Sequence, residues 1–195
     1  MDGFVVWITG LPGSGKTALA KEIEPLLKKR GHNCEILDGN EVRALISSEL
    51  GFTEEDRKLH NRRVIHIAKL LARNGVGVIV SLISPYRETR AFARRELPNF
   101  VEVWTKCPLE VCEARDKKGL YEKARRGEIT DLTGVQHPYE EPENPEVIVD
   151  TEKESPSEGA RRVIDKLEEL GLISAYTKEE EEAVKRRLED LGYLG

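Results

Sequence analysis

Eight consecutive residues, Gly10, Leu11, Pro12, Gly13, Ser14, Gly15, Lys16 and Thr17, put a lysine and a hydroxyl directly behind three closely spaced glycines. This is the G-x-x-x-x-G-K-[ST] spacing, and the chemistry it serves is phosphate binding. The glycines let the backbone turn tightly with its N–H groups inward, and together with the N-terminus of a following helix they form an anion cradle. Lys16 can neutralise phosphate charge, and the Thr17 hydroxyl can ligate Mg²⁺. The motif requires a strand before it and a helix after it. The apolar run Phe4 to Ile8 supplies the first, and helical periodicity beginning near Ala18 supplies the second.

Further candidates follow in chain order. Cys34 to Leu37 has the pattern of a short strand, and it runs into Asp38-Gly39. An acid at the carboxyl end of a strand in an open α/β sheet faces the ligand, so Asp38 is the best acidic partner for a phosphate-bound metal. It is equally a helix N-cap for the segment Glu41 to Leu50, and the two roles are compatible. Arg43 lies on that segment. Thr53 to Asp56 has the form of an N-cap with acids in the first turn, opening a helix that carries Arg57, His60, Asn61, Arg62 and Arg63. Such a face suits an anionic ligand or plain solvent. Ser81 to Arg87, containing Ile83 and Ser84, is a polar loop at the carboxyl end of the apolar run Val76 to Val80. The stretch from Arg115 to Glu128, dense in cations and glycine, suits a mobile lid over phosphates or an exposed basic helix.

The elements that must position these residues can be counted. Leu19, Ile23, Leu26 and Leu27 recur at helical spacing, with Pro25 a place to bend and Gly31 a stop. Val76 to Val80 and Phe100 to Trp104 are strands, the former apolar enough to be buried on both faces. A helix follows through Cys112 and Arg115. Pro138 to Pro145 is an extended loop, Val147 to Val149 a last strand, and Ser157 to Leu170 a closing amphipathic helix. Strand, helix, strand repeated four times predicts an α/β fold, a five-stranded parallel sheet with helices on both faces. Residues 1–173 form that domain, with the lid at about 115–134. The remainder, 174–195, is a helical extension with an N-cap at Thr177 and a thin apolar stripe of Val184, Leu188 and Leu191 ahead of Gly192. It can dock on the domain or on a partner subunit.

Composition sets the outer limits. A chain of 195 residues has room for one such domain with a small appendage. A net charge of −5 argues against broad nucleic-acid binding, while arginines concentrated mid-chain leave a small polyanion acceptable. Phe4 to Ile8 is too short for a signal h-region or a membrane span, so a soluble, cytoplasmic protein without a membrane partner is expected. Cys34, Cys107 and Cys112 lack metal-site or redox spacing and fit as packing residues. A 34% charged content beside a single methionine and a single glutamine is a balance found in hyperthermophile proteins.

The motifs taken together resemble adenylyl-sulfate kinases. The resemblance is carried by the glycine-rich loop, Leu37-Asp-Gly39 with Val42-Arg43, Leu50-Gly-Phe52, Glu55-Asp-Arg57, Ile83-Ser-Pro85, Cys112-Glu-Ala-Arg-Asp116, Lys118-Gly-Leu-Tyr121, Gly127-Glu-Ile129 and Thr133-Gly134. They stand in the family's order and nearly its spacing from about Gly3 to Ile173. What the resemblance implies is a P-loop kinase, usually homodimeric. It would move the γ-phosphoryl of ATP, with Mg²⁺, to the ribose 3′-hydroxyl of adenosine 5′-phosphosulfate. It further implies that Thr17 and Asp38 serve the metal, that Asp38 acts as the acid-base group, and that Arg115 lies near the ATP base. Arg43 and Arg57 would hold the anionic substrate and Phe52 would stack on its adenine. His60, Asn61, Ile83, Ser84, Lys118, Gly119, Leu120 and Leu132 would line the acceptor site. Ser84 matches a serine proposed to carry phosphate transiently, a role direct in-line transfer does not need.

The departures from the family pattern fall on the acceptor side. Asn40-Glu41 stands where Asp-Asn is usual, which leaves Asp38 as the acid unless Glu41 reaches in. His60 replaces an asparagine, with Asn61 beside it, Thr130 replaces a lysine, and Leu132 replaces the aromatic that would close the adenine sandwich. Two alternatives therefore stay open: a relative acting on another nucleotide-linked or sulfated small molecule, and a nucleotide-binding module without turnover.

Overall fold

Strand β1 (Val5–Thr9) is buried at every position, and its alternation sorts the core into two halves. In this computed structural model, which describes residues 3–190 and Tyr193, β1 lies at the centre of a five-stranded sheet. The other strands are β2 (Cys34–Asp38), β3 (Gly77–Ser81), β4 (Phe100–Lys106) and β5 (Val147–Asp150). Their order is β2-β3-β1-β4-β5 and every pairing is parallel. The expected α/β architecture is present, and the strand order adds what the sequence count did not give.

On one face Phe4, Val6 and Ile8 pack with Leu19, Ala20, Ile23 and Leu27 of helix α1 (Lys16–Lys29) and with Ala160, Val163, Ile164 and Leu167 of helix α7 (Pro156–Glu169). On the other face Val5 and Trp7 pack with Val64, Ile65, Ala68 and Ala72 of helix α3 (Glu54–Ala72) and with Ala93 of helix α4 (Arg87–Glu96). Helix α2 (Gly39–Ile46) bridges β2 and α3. Two short helices, α5 (Leu109–Ala114) and α6 (Leu120–Arg125), the second within the stretch 115–134, adjoin a small core of Cys107, Cys112, Tyr121, Ala124 and Leu132.

Several boundaries differ from expectation. Helix α1 begins at Lys16 and runs through Pro25 to Lys29. Helix α2 stops at Ile46, because Ser47 leaves helical geometry while its amide still closes on the Arg43 carbonyl. Helix α7 starts one residue early, on a capping box between Ser155 and Glu158. Helix α8 (Lys178–Asp190) occupies the tail, capped by Thr177, with Val184 and Leu188 exposed. Leu191 and Gly192 lie outside the described residues. None of the described helices is long and apolar enough to cross a membrane.

Candidate active site

The carboxyl ends of β1, β2, β3 and β4 meet at one edge of the sheet, where the β4 side chains fix the base of the glycine-rich loop. Thr105 Oγ1 bonds the Thr9 carbonyl at 3.0 Å and the Ser14 hydroxyl at 2.7 Å. Gly13 has φ +78, and a Cβ there would stand 2.8 Å from the Cys112 carbonyl oxygen, so the turn requires glycine on both counts. Gly15 (φ +91) caps α1 in the left-handed region, which turns the first amides of that helix toward the loop's interior. Lys16 Nζ reaches back over the loop and donates to the carbonyls of Gly10 at 3.0 Å and Leu11 at 2.7 Å. Burial lowers its ammonium from the ordinary lysine range to about 8, against the opposing pull of Cys112, Asp38 and Cys107.

Thr17 and Asp38 meet across the β1–β3–β2 edge. The Thr17 hydroxyl donates to Asp38 Oδ2 at 2.6 Å, and Asp38 Oδ1 accepts the Asn40 amide at 3.1 Å. Asp38 is thus both strand-terminal acid and N-cap of α2. Ser81 Oγ, on the strand between them, stands 3.5 Å from Thr17 Oγ1. Two hard oxygen donors this close suit Mg²⁺, which takes oxygen ligands and keeps water and phosphate for the rest. Asn40 and Glu41 are exposed on the first turn of α2.

A second cluster forms between α2 and α3. Arg43 donates to the Gly51 carbonyl, and its guanidinium lies 4.5 Å from the centroid of the Phe52 ring. Arg57 is buried, donates Nε–H to the Phe52 carbonyl at 2.8 Å, and also donates to the Asp131 carbonyl in the stretch after α6. Its guanidinium is 5.5 Å from the same ring, and the ring itself is 47% exposed. Behind Arg57, Asn61 donates to the Arg57 carbonyl and accepts the Ser84 hydroxyl at 2.7 Å, while Trp7 Nε1 donates to Ser84 Oγ at 3.2 Å. Ser84 is buried at φ +42.

His60 is buried and pairs its Nδ1 with Ser47 Oγ at 3.0 Å. Burial, with Arg43 and Arg63 adding to it, lowers the imidazole to about 4. Leu132 is buried in the small core with Cys107, Cys112, Tyr121 and Ala124. Leu120 packs against that same core, while Lys118 is exposed and Gly119 opens α6 at φ +66. Arg115 bonds the Thr151 carbonyl at 2.8 Å, beside Gly15, so it borders the phosphate loop. Sequence reasoning named Ser81 and Tyr121 only as parts of a loop and a motif and gave no individual role to them, to Trp7 or to Thr105; the Tyr121 hydroxyl donates to the Pro12 carbonyl at 2.7 Å. Ser81 and Thr105 lie at strand carboxyl ends, which was the available signal.

Residues 2–150 match the family model described as adenylylsulphate kinase. The chain belongs to the adenylylsulphate kinase family. Over 173 residues, 89% of this chain and 99% of the relative, it is 53% identical to a probable adenylyl-sulfate kinase of Pyrococcus abyssi. Over 150 residues, 77% of this chain and 97% of the relative, it is 55% identical to one of Archaeoglobus fulgidus. An APS kinase of Mycobacterium tuberculosis, solved in complex with AMPPNP and APS, superposes with a TM-score of 0.82 at 44% identity, over 86% of this chain and 98% of that one. The two clusters are joined through the carboxyl end of β3, where Ser81 meets Thr17 and Ser84 meets the Asn61 that supports Arg57.

Proposed function

We propose that the chain transfers the γ-phosphoryl group of ATP to the ribose 3′-hydroxyl of adenosine 5′-phosphosulfate, giving ADP and the 3′-phosphorylated product. The observation that supports this reading is that the end of β3 and the loop after it touch both the Lys16–Thr17–Asp38 cluster, through Ser81 and Thr17, and the Arg43–Phe52–Arg57 cluster, through Ser84, Asn61 and Arg57. The first suits a nucleoside triphosphate and the second an aromatic base with an attached anion.

Lys16 and the loop amides would hold the β/γ-phosphates, and Arg115 would border the ATP base. Thr17 and Asp38 would hold Mg²⁺, which neutralises phosphate charge when bound. Asp38 is the acid beside the reacting groups and would take the hydroxyl proton as the new P–O bond forms and the bond to ADP breaks. Phe52 would stack one face of the acceptor base while Arg43 and Arg57 hold its phosphosulfate. Ser84, with its hydroxyl engaged by Asn61 and Trp7, serves as a shaped loop residue rather than a phosphate carrier. We further take the enzyme to be a cytoplasmic homodimer, which sedimentation would test.

The deciding experiment is coupled ADP release with MgATP and adenosine 5′-phosphosulfate, run hot, with the product identified. Turnover that disappears in Asp38→Ala while ATP binding survives supports the reading. Tight ATP binding without turnover on this acceptor, but with turnover on another nucleotide, would overturn the choice of acceptor.

A further inference from the structure

Arg90 is the most enclosed arginine of the described residues near the site, 3% exposed. It stands on α4, whose sequence Arg-Glu-Thr-Arg-Ala-Phe-Ala-Arg-Arg-Glu reads as a charged surface helix. All three guanidinium nitrogens are engaged, each with a different part of the chain. Nε donates to Glu102 Oε1 of β4 at 2.8 Å, Nη1 to the Ser84 carbonyl at 2.5 Å, and Nη2 to the Glu140 carbonyl at 2.5 Å. Glu102 is itself buried, and its other oxygen accepts from Arg94 at 3.2 Å.

Two segments that have no regular structure meet at this guanidinium. One is the loop 82–86 after β3, and the other is the proline-rich stretch 138–146. They are stitched together elsewhere as well, the Glu140 amide donating to the Pro85 carbonyl at 2.8 Å and the Glu140 carboxylate accepting the Arg87 amide at 2.6 Å. Thr9 completes the circuit, donating to the Ile83 carbonyl at 2.6 Å and sharing a hydrogen bond with Tyr139 OH at 3.0 Å.

Ser84 shows why such a clamp is needed. Its φ of +42 is a left-handed conformation that a serine rarely holds, and such a conformation persists only when its surroundings over-determine it. Trp7 and Asn61 fix the side chain, and Arg90 fixes the carbonyl. Through Asn61 the same loop supports the Arg57 backbone. We infer that Arg90 is a positioning residue for the acceptor half of the site, holding the Ser84 loop in its left-handed turn by joining it to Glu102 of the sheet and to the 138–146 strap.

The role assigned to the acceptor half rests on the function proposed above, so the test separates the two. Hydrogen exchange needs no substrate and reads the clamp directly. In Arg90→Lys, which retains charge beside Glu102 but loses the three-way fork, the amides of Ile83, Ser84, Tyr86 and Glu140 should exchange at least about tenfold faster, and those of Gly10 to Thr17 should not change. The double variant Arg90→Met/Glu102→Gln, which leaves no buried charge unpaired, should show the same local loosening in a folded protein. In turnover, both variants should raise the acceptor KM by about tenfold or more with the ATP KM within about twofold of wild type.

Unchanged exchange in the loop and strap would overturn the inference whatever the activity. Loosened exchange with equal effects on both KM values would also overturn it, since the clamp would then serve the fold at large. If wild type does not turn over adenosine 5′-phosphosulfate at all, the proposed function fails, and the exchange result still decides whether Arg90 holds the loop.

Discussion

Lys16 makes its only described hydrogen bonds within its own loop, to the Gly10 and Leu11 carbonyls and, at 3.5 Å, to Ser14 Oγ. Burial there lowers its ammonium to about 8, so the charge that should meet ATP is lost within a readily accessible pH range. The sign follows from linkage. Bound phosphates favour the ammonium, so the complex holds the proton more tightly than the free protein, and binding must take up a proton once the free amine predominates. ATP affinity should therefore be level from about pH 6.5 to about pH 7.5 and fall toward about tenfold per pH unit above about 8. Calorimetric titration of ATP across that range checks it, and a level profile to about pH 9.5 would show that Lys16 keeps its proton. Arg43 gives a prediction on the other substrate. Its guanidinium faces an exposed aromatic ring, with the buried Arg57 behind. Arg43→Ala should raise the acceptor KM by about tenfold to a hundredfold and leave the ATP KM nearly alone. Arg43→Lys should also be impaired, because an ammonium replaces neither the planar stack nor the fork. Steady-state kinetics with each substrate varied in turn would show it, and equal effects on both KM values would remove Arg43 from the acceptor site.

Helices α2 and α3 show how one buried contact joins two elements. Ser47 ends α2, and its hydroxyl takes His60 Nδ1 at 3.0 Å and Arg63 Nη1 at 3.3 Å. His60 Nε2 has no partner among the described residues, and the imidazole is held near about 4 by burial and by the flanking Arg43 and Arg63. An unfolded histidine binds its proton near pH 6.5, so between about 4 and 6.5 the unfolded chain holds more protons. His60 thus contributes stability above pH 6.5 that is lost as pH falls toward 4. The full linkage is about 3 kcal/mol, and solvent screening brings the expected loss to about 1–2 kcal/mol. His60→Asn should flatten the stability profile over that window by this amount in urea titrations. A profile with the wild-type slope would place the loss in the carboxylates instead. The orientation of His60 was not legible in the sequence, because it depends on α2 stopping at Ile46 rather than near Leu50. Local features were legible: the glycine-rich loop between an apolar strand and a helix, the Asp38 cap, the Thr53 cap and the carboxyl-end position of Ser84. Arg90 was not, since its burial depends on Glu102 in another element and no local pattern marks that pair.

At the scale of the whole chain, the sheet order β2-β3-β1-β4-β5 puts Asp38 and Ser81 side by side at the carboxyl ends of neighbouring strands, next to the strand that leads into the glycine-rich loop. The sheet ends at β5, and α7 covers it with a capped, strongly two-sided helix. Ile173 closes that face, 7% exposed and packed in the core shared by α1 and α7. Beyond it the chain changes character. The side chains described between Ser174 and Leu188 are exposed or half-buried, with Val184 at 51% and Leu188 at 37%. The ties of α8 to preceding residues run through exposed side chains such as Ser174 with Glu181. A helix this short is marginal in water without packing, so its contribution to the fold should be small. Deleting 175–195 is expected to leave Tm within about 2 °C and both KM values unchanged. Deleting from Leu172 onward removes the buried Ile173, costs about 2 kcal/mol or more, and should lower Tm by several degrees. Thermal unfolding of the two truncations, each with its sedimentation mass, separates the cases. A large fall in Tm from the shorter deletion, accompanied by a fall in mass, would mean that α8 is buried between subunits. A fall in Tm without a change in mass would mean that it docks on its own domain.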